Sequence, residues 1–136
     1  MLNLEVVTPT KKILSSTAVK SVTVPGSLGE MTILPGHAPL VSVLETGILR
    51  YEPEAGGPVV AAAISTGFIE IKGDKVTVLA ETLEMAKDIS IERAKKAQTK
   101  AEERMKEKSL DPDSFKKYQL KLQRALIRQQ LASEQK

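Results

Sequence analysis

The chain has 136 residues, 20 Lys and Arg against 17 Asp and Glu, a net charge of +3 and no cysteine. That length suits one domain with a modest core or a small domain with an appendage. The missing cysteines exclude a disulfide framework and any thiolate chemistry. No apolar run approaches the ~18 residues of a membrane-spanning helix. Met1 to Val7 lacks the basic and apolar regions of a signal peptide, so a cytosolic, soluble protein is expected.

Charge is unevenly spread. Up to Leu83 there are six basic and eight acidic residues, a net −2; from Glu84 onward there are fourteen and nine, a net +5. The basic half interleaves both signs, as solvated helices do, and its only aromatics are Phe115 and Tyr118. Nucleic-acid binding, which uses basic surfaces with stacking platforms, is not expected.

Leu2, Leu4 and Val6 alternate with Asn3 and Glu5, which predicts a strand closed by the turn Thr8-Pro-Thr-Lys11. Lys12 to Ser15 and Ala18 to Val24 read as two further strands, the second ended by Pro25-Gly26. Pro25 to Leu40 then gathers three prolines, three glycines, Glu30 and the sole histidine, His37, around a short strand at Leu28 to Leu34. This density of turn residues predicts a rigid, presented loop.

Apolar runs at Leu40 to Leu44 and Ile48 to Tyr51 follow, then a loop at Glu54 to Pro58. Val59 to Ile64 is apolar throughout, as in a strand covered on both faces. Phe68 to Ile71 and Val76 to Leu79 flank the Gly73-Asp74 turn of an antiparallel hairpin. About eight to ten short strands in this spacing predict an antiparallel β-sandwich or flattened barrel over residues 1–84.

Glycine disappears after Ser90 and helix formers take over. Residues 85–136 read as a two-helix antiparallel hairpin, with helices at about 90–107 and 112–131. Ser90 is placed to cap the first helix, and Asp111 with Pro112 to open the second. Ala94, Ala97, Ala101 and Met105 give the first helix a mostly alanine face. The second carries two apolar stripes: Phe115, Tyr118, Leu122, Ala125 and Leu126 close the hairpin, while Leu120, Ile127 and Leu131 need another surface. A hairpin this thin is marginal alone, so it must lean on the sandwich.

Catalytic chemistry finds no support. There is no phosphate-binding P-loop, no nucleophile elbow and no metal-spaced histidine set, so neither a catalytic nor a metal site can be assembled. Glu30 reads either as an exposed carboxylate or as a partner contact, and His37 as a structural or contact residue. Arg93, Arg124 and Arg128 read either as surface charges or as cations converging on phosphate when the hairpin folds.

The segment Gly29-Glu-Met-Thr-Ile-Leu-Pro-Gly-His-Ala-Pro-Leu40, with Thr46-Gly-Ile-Leu-Arg50, Gly67-Phe-Ile-Glu-Ile71 and Val76-Thr-Val-Leu-Ala80, resembles the epsilon subunits of bacterial F-type ATP synthases. The resemblance spans essentially the whole chain. It implies a non-catalytic rotor subunit of the central stalk, peripheral on the cytoplasmic side of the inner membrane, with no insertion of its own. Expected partners are the gamma subunit, the c-ring, and the catalytic alpha and beta subunits when the helical arm extends to inhibit ATP hydrolysis. Glu30 and His37 match ring-facing positions. No cofactor is required, but some members bind regulatory ATP through a segment matched by Ile89-Ser-Ile-Glu-Arg-Ala94 and by Arg124 and Arg128. Glu84 joins Ile89, Arg93, Ala94, Arg124 and Arg128 in that candidate set, and Ser90 stands where those members carry aspartate. The alternative is a free-standing ATP-sensing module.

Overall fold

The structure, a computed structural model, describes residues 1–107 and 109–134. Nine strands precede two helices: β1 Leu2–Val7, β2 Lys12–Gly26, β3 Gly29–Ile33, β4 Leu40–Leu44, β5 Gly47–Pro53, β6 Val60–Ile64, β7 Gly67–Lys72, β8 Lys75–Ala80 and β9 Leu83–Met85. A 3-10 turn at Ala86–Asp88 leads to α1 Ile91–Met105 and α2 Pro112–Glu134.

The predicted alternation in β1 is realised, with Leu2, Leu4 and Val6 buried and their neighbours half-exposed. β1 pairs β2 antiparallel and β8 in parallel. The path β1-β8-β7-β4-β2 returns to β1, and β2 also carries β3 and β5, from which β6 and β9 extend. A strand shared by both halves is what flattens a barrel into a sandwich. Side chains from both halves, among them Leu4, Val22, Ile33, Leu44 and Ile69, meet in one buried cluster.

Two strand predictions need correction. Lys12–Ser15 and Ala18–Val24 are parts of one strand, β2, because a bulge rather than a turn absorbs the polar Ser15-Ser16 pair. Ser16 takes φ 47°, and the register to β1 shifts between Leu4↔Thr17 and Val6↔Leu14. Such a bulge bends a strand without ending it. The chain at residues 83–85 is also a strand, β9, held by β6 through Ala62↔Met85 and Ile64↔Leu83. Three residues are too few for a periodic signal.

Strand β6 explains its own apolar composition. Val60 and Ile64 face the sandwich core, whereas Ala61 and Ala63 lie in a second cluster with Ala86 and Leu131. Successive side chains point to opposite faces, so one strand serves two cores. The two alanines let α2 approach, and Leu131 is fully buried against them. With Ile127 beside it, this surface covers two residues of the second stripe, while Leu120 lies outside the cluster and is half-exposed.

The caps fall as predicted. Ser90 Oγ accepts from the Arg93 backbone N–H at 3.3 Å, and Asp111 Oδ2 accepts from the Ser114 N–H at 3.3 Å. Ala94, Ala101 and Ala125 are buried between the helices, and Gln129 Nε2 donates to Gln98 Oε1 at 2.6 Å. Phe115 and Leu126, expected in the hairpin seam, remain 40% and 46% exposed because the alanine face is narrower than the stripe opposite it. Helix α2 runs to Glu134, past the expected end at 131, since Leu131 and Ala132 are buried and Glu134 is paired.

Candidate functional site

Three ion pairs cross the seam between sandwich and hairpin. Arg128 Nε lies 2.8 Å from Glu84 Oε1, Arg124 Nη2 lies 4.0 Å from Glu81 Oε2, and Arg50 Nη2 lies 2.8 Å from Glu134 Oε2. Arg124 and Arg128 stand one helical turn apart on α2, which aims both at the strand end carrying Glu81 and Glu84. The Arg50 contact is a hydrogen bond. The Arg128 contact is ionic only: Glu84 Oε1 is buried yet receives no aligned donor, so the short distance reflects attraction without hydrogen-bond geometry. Arg124 Nε is likewise buried without an acceptor.

These arginines border two clefts. One, of about 190 Å³, is lined by Ser65, Thr82, Glu84, Arg124, Ile127 and Arg128 on the sandwich side of α2. The other, of about 280 Å³, opens between the helices and is lined by Ala97, Lys100, Ala101, Tyr118, Lys121 and the same two arginines. Of the residues expected to take ATP, Glu84, Arg124 and Arg128 therefore share one cleft. Ile89 packs beside Leu131, and Ala94 is buried in the hairpin. Arg93 is exposed, lines neither cleft and forms no ion pair among the described residues.

Glu81, Lys100, Lys121 and Tyr118 were missed by sequence reasoning. Lys121 precedes Arg124 by three residues and Lys100 sits between Ala97 and Ala101, a placement that shows on a helical wheel once the helices are paired.

Glu30 and His37 are both exposed, on β3 and on the loop leaving it. Glu30 pairs in register with Pro25 beside the Gly26↔Gly29 hairpin end. His37 Nδ1 donates to the Ala38 carbonyl oxygen at 2.7 Å, which places a ring proton on Nδ1. Among the described residues nothing joins these two side chains directly.

The outer face of β4, β7 and β8 is unusually apolar. Val43 pairs in register with Phe68, and Phe68 with Leu79. These three are 47%, 54% and 50% exposed, forming a hydrophobic row across three strands. A groove of about 480 Å³ runs along it, walled also by Val7, Pro9 and Thr66. Among the described residues no His, Asp and Glu cluster could hold a metal, and no helix is long and apolar enough to cross a membrane.

Known proteins resemble this arrangement along its whole length. Residues 1–86 match the family described as ATP synthase, Delta/Epsilon chain, beta-sandwich domain, and residues 87–133 match its long alpha-helix domain. The ATP synthase epsilon chain of Geotalea uraniireducens is 45% identical over 133 residues, covering 98% of this chain and 94% of that one. The same-named chain of Geobacter sulfurreducens is 44% identical with the same coverage. Among solved structures, a chain of the Euglena gracilis mitochondrial ATP synthase, resolved with OSCP, F1 and c-ring, superposes with a TM-score of 0.82 at 25% identity, covering 99% of this chain and 81% of that chain. A sandwich followed by a helical hairpin, matched in both parts and in order, places the chain in the ATP synthase delta/epsilon family.

Proposed function

We propose that the chain is a non-catalytic rotor subunit of the ATP synthase central stalk, coupling proton translocation to ATP synthesis and restraining ATP hydrolysis through α1 and α2. The gamma subunit and the c-ring are its stalk partners, and the catalytic alpha and beta subunits become partners when the helices extend. It works at the cytoplasmic face of the bacterial inner membrane as a peripheral component.

The observation that carries this reading is the division of labour in the fold. Residues 1–84 form a unit with a buried core and an exposed apolar row at Val43, Phe68 and Leu79, the kind of surface that a permanent partner covers. We assign that row to gamma. Helices α1 and α2 provide the arm, docked through alanines, Ile127, Leu131 and three partly exposed ion pairs. A contact this thin can be reversed, since moving a two-state arm from 1:99 to 99:1 takes about 5.5 kcal/mol of differential affinity. Glu30 and His37, exposed on the β3 strand and its following loop, are assigned to the c-ring.

The test is assembly and hydrolysis together. The purified chain should bind gamma in pull-down, and failure to do so would sink the stalk reading. Truncation after Asp88 should leave assembly intact while raising hydrolysis by the complex. Unchanged hydrolysis would remove the inhibitory role from the arm.

A second reading concerns ATP as a regulatory ligand, and Glu84, Arg124 and Arg128 in one cleft favour it. Ile89, Arg93 and Ala94 complete the proposed set, with Ser90 offering a helix cap but no charge. Calorimetry with ATP tests it: binding lost in Arg93→Ala or Arg124→Ala supports a nucleotide-sensing arm, and no heat from the intact chain rejects it.

A further inference from the structure

We infer that Glu81 serves two surfaces at once: it offers a carboxylate to a lysine or arginine of the subunit that fills the apolar groove, and in doing so it releases Arg124 and loosens the arm. This rests on the assignment of the Val43, Phe68 and Leu79 row to gamma. It adds to that reading a charged contact and a consequence for α2.

The groove along the row carries a single charged side chain, Glu81, in a wall otherwise built from apolar residues, threonines and a glycine. A surface of this composition fits an apolar segment with one cation at its end, because a lone rim charge selects its opposite and fixes the register of docking. Glu81 also faces the arm. Its Oε2 accepts from Thr66 Oγ1 at 3.3 Å and lies 4.0 Å from Arg124 Nη2. Its Oε1 has no hydrogen-bond or ion-pair partner among the described residues. One oxygen is engaged with the arm and the other is unclaimed.

Backbone and hydroxyl bonds hold Glu81 at this junction. Its N–H donates to the Thr66 carbonyl oxygen at 3.0 Å, and the Ser65 N–H donates to that of Thr82 at 3.1 Å. Ser65 is buried, and its Oγ accepts from the Thr82 N–H at 2.8 Å and from the Thr82 hydroxyl at 2.9 Å. Thr66 and Glu81 therefore wall the groove, while the adjoining Ser65 and Thr82 wall the cleft under α2. Arg124 is the looser member of the junction. Glu81 is its only ion-pair partner among the described residues, at a distance too long for a hydrogen bond, and its Nε is buried without an acceptor. One carboxylate carries one charge, so a cation arriving from the groove weakens the hold on Arg124. Filling the groove and docking the arm are then negatively linked, and the linkage is reciprocal: the docked arm weakens gamma by the factor by which gamma weakens docking.

Titration of the full chain with purified gamma tests this as a double-mutant cycle. Glu81→Gln should weaken gamma by about two- to fivefold, as expected for one exposed ion pair. Arg124→Gln should tighten gamma by up to the same factor, because Glu81 is no longer shared, and should change nothing in the Glu81→Gln background. The Glu81 side chain is 62% exposed, so its variant should melt as the parent chain does. A distance probe between β5 and α2 supplies the second measurement: gamma should raise the open fraction of the arm in the parent chain and not in Glu81→Gln. Unchanged gamma affinity in Glu81→Gln, equal effects of Arg124→Gln in both backgrounds, or equal opening by gamma with and without Glu81 would each overturn the inference while sparing the stalk reading. No gamma binding by the parent chain would overturn both.

Discussion

The Arg50 guanidinium on β5 donates to the Glu134 carboxylate at 2.8 Å, fastening the end of α2 to the sandwich across 84 residues of sequence. Both side chains are more than a third exposed, so solvent screens the pair and its contribution stays below about 1 kcal/mol. Its effect is to hold the end of the arm rather than to stabilise the fold. Glu134→Gln should therefore leave the unfolding midpoint nearly unchanged while raising amide exchange in the last turns of α2. At 1 M salt, where the Debye length is about 3 Å, parent and variant should exchange alike. Identical exchange at low salt would mean that the pair restrains nothing.

Leu131 contributes more. It is fully buried among Ala61, Ala63 and Ala86, and a Leu to Ala change in such a site costs about 2–5 kcal/mol. The hairpin's contact with the sandwich has few other large side chains, so Leu131→Ala should undock the arm without unfolding residues 1–84. A distance probe between β5 and α2 should report opening while the sandwich amides keep their protection. Loss of protection in both regions together would show that the two units fold as one.

Gly67 tests the sandwich itself. A Cβ at this position would lie 2.0 Å from the Leu79 carbonyl oxygen and 2.9 Å from Ala80 Cα, both backbone atoms that cannot turn aside. Gly67→Ala must then push β7 from β8, with a cost at or above the roughly 1–3 kcal/mol of ordinary overpacking. Chemical denaturation should show a large drop in midpoint. A change within about 0.5 kcal/mol, the usual range for an inert surface site, would contradict this close approach.

The legible parts of this chain are those whose pattern is local. Leu2, Leu4 and Val6 announce β1 by period, and Ser90 and Asp111 announce helix starts by chemistry. What stayed hidden needed two distant segments at once. The stripe at Ile127 and Leu131 showed that a surface was missing, and the apolar run before Ile64 showed a strand with two covered faces. Nothing local says that Ala61 and Ala63 receive Leu131, because residue spacing carries no information about long-range pairing. The continuity of β2 was concealed by Ser15 and Ser16, which resemble a turn until β1 is seen to run past them. Lys100 and Lys121 look like solvated charges on separate helices; their shared cleft exists only after the hairpin closes.

Acid should loosen the arm through Asp111. Hydrogen bonds from Ser114, its side chain first and its backbone N–H second, hold the Asp111 carboxyl below the usual aspartate range. In the sandwich, Lys12, by hydrogen bond and by charge, lowers Glu5 in the same way, with Lys75 adding to it. A carboxylate whose folded pKa is depressed stabilises the fold fully above its unfolded value, near 4, and that stabilisation is lost as pH falls through the folded value. Hairpin protection should thus decline below about pH 4. Asp111→Asn keeps a capping side chain but cannot titrate, so its α2 exchange should depend less on acid than the parent's. Glu5→Gln should flatten the acid response of β1 and β2 and leave that of α2 alone. Acid curves for α2 that coincide in the parent and in Asp111→Asn would assign the loosening to other groups.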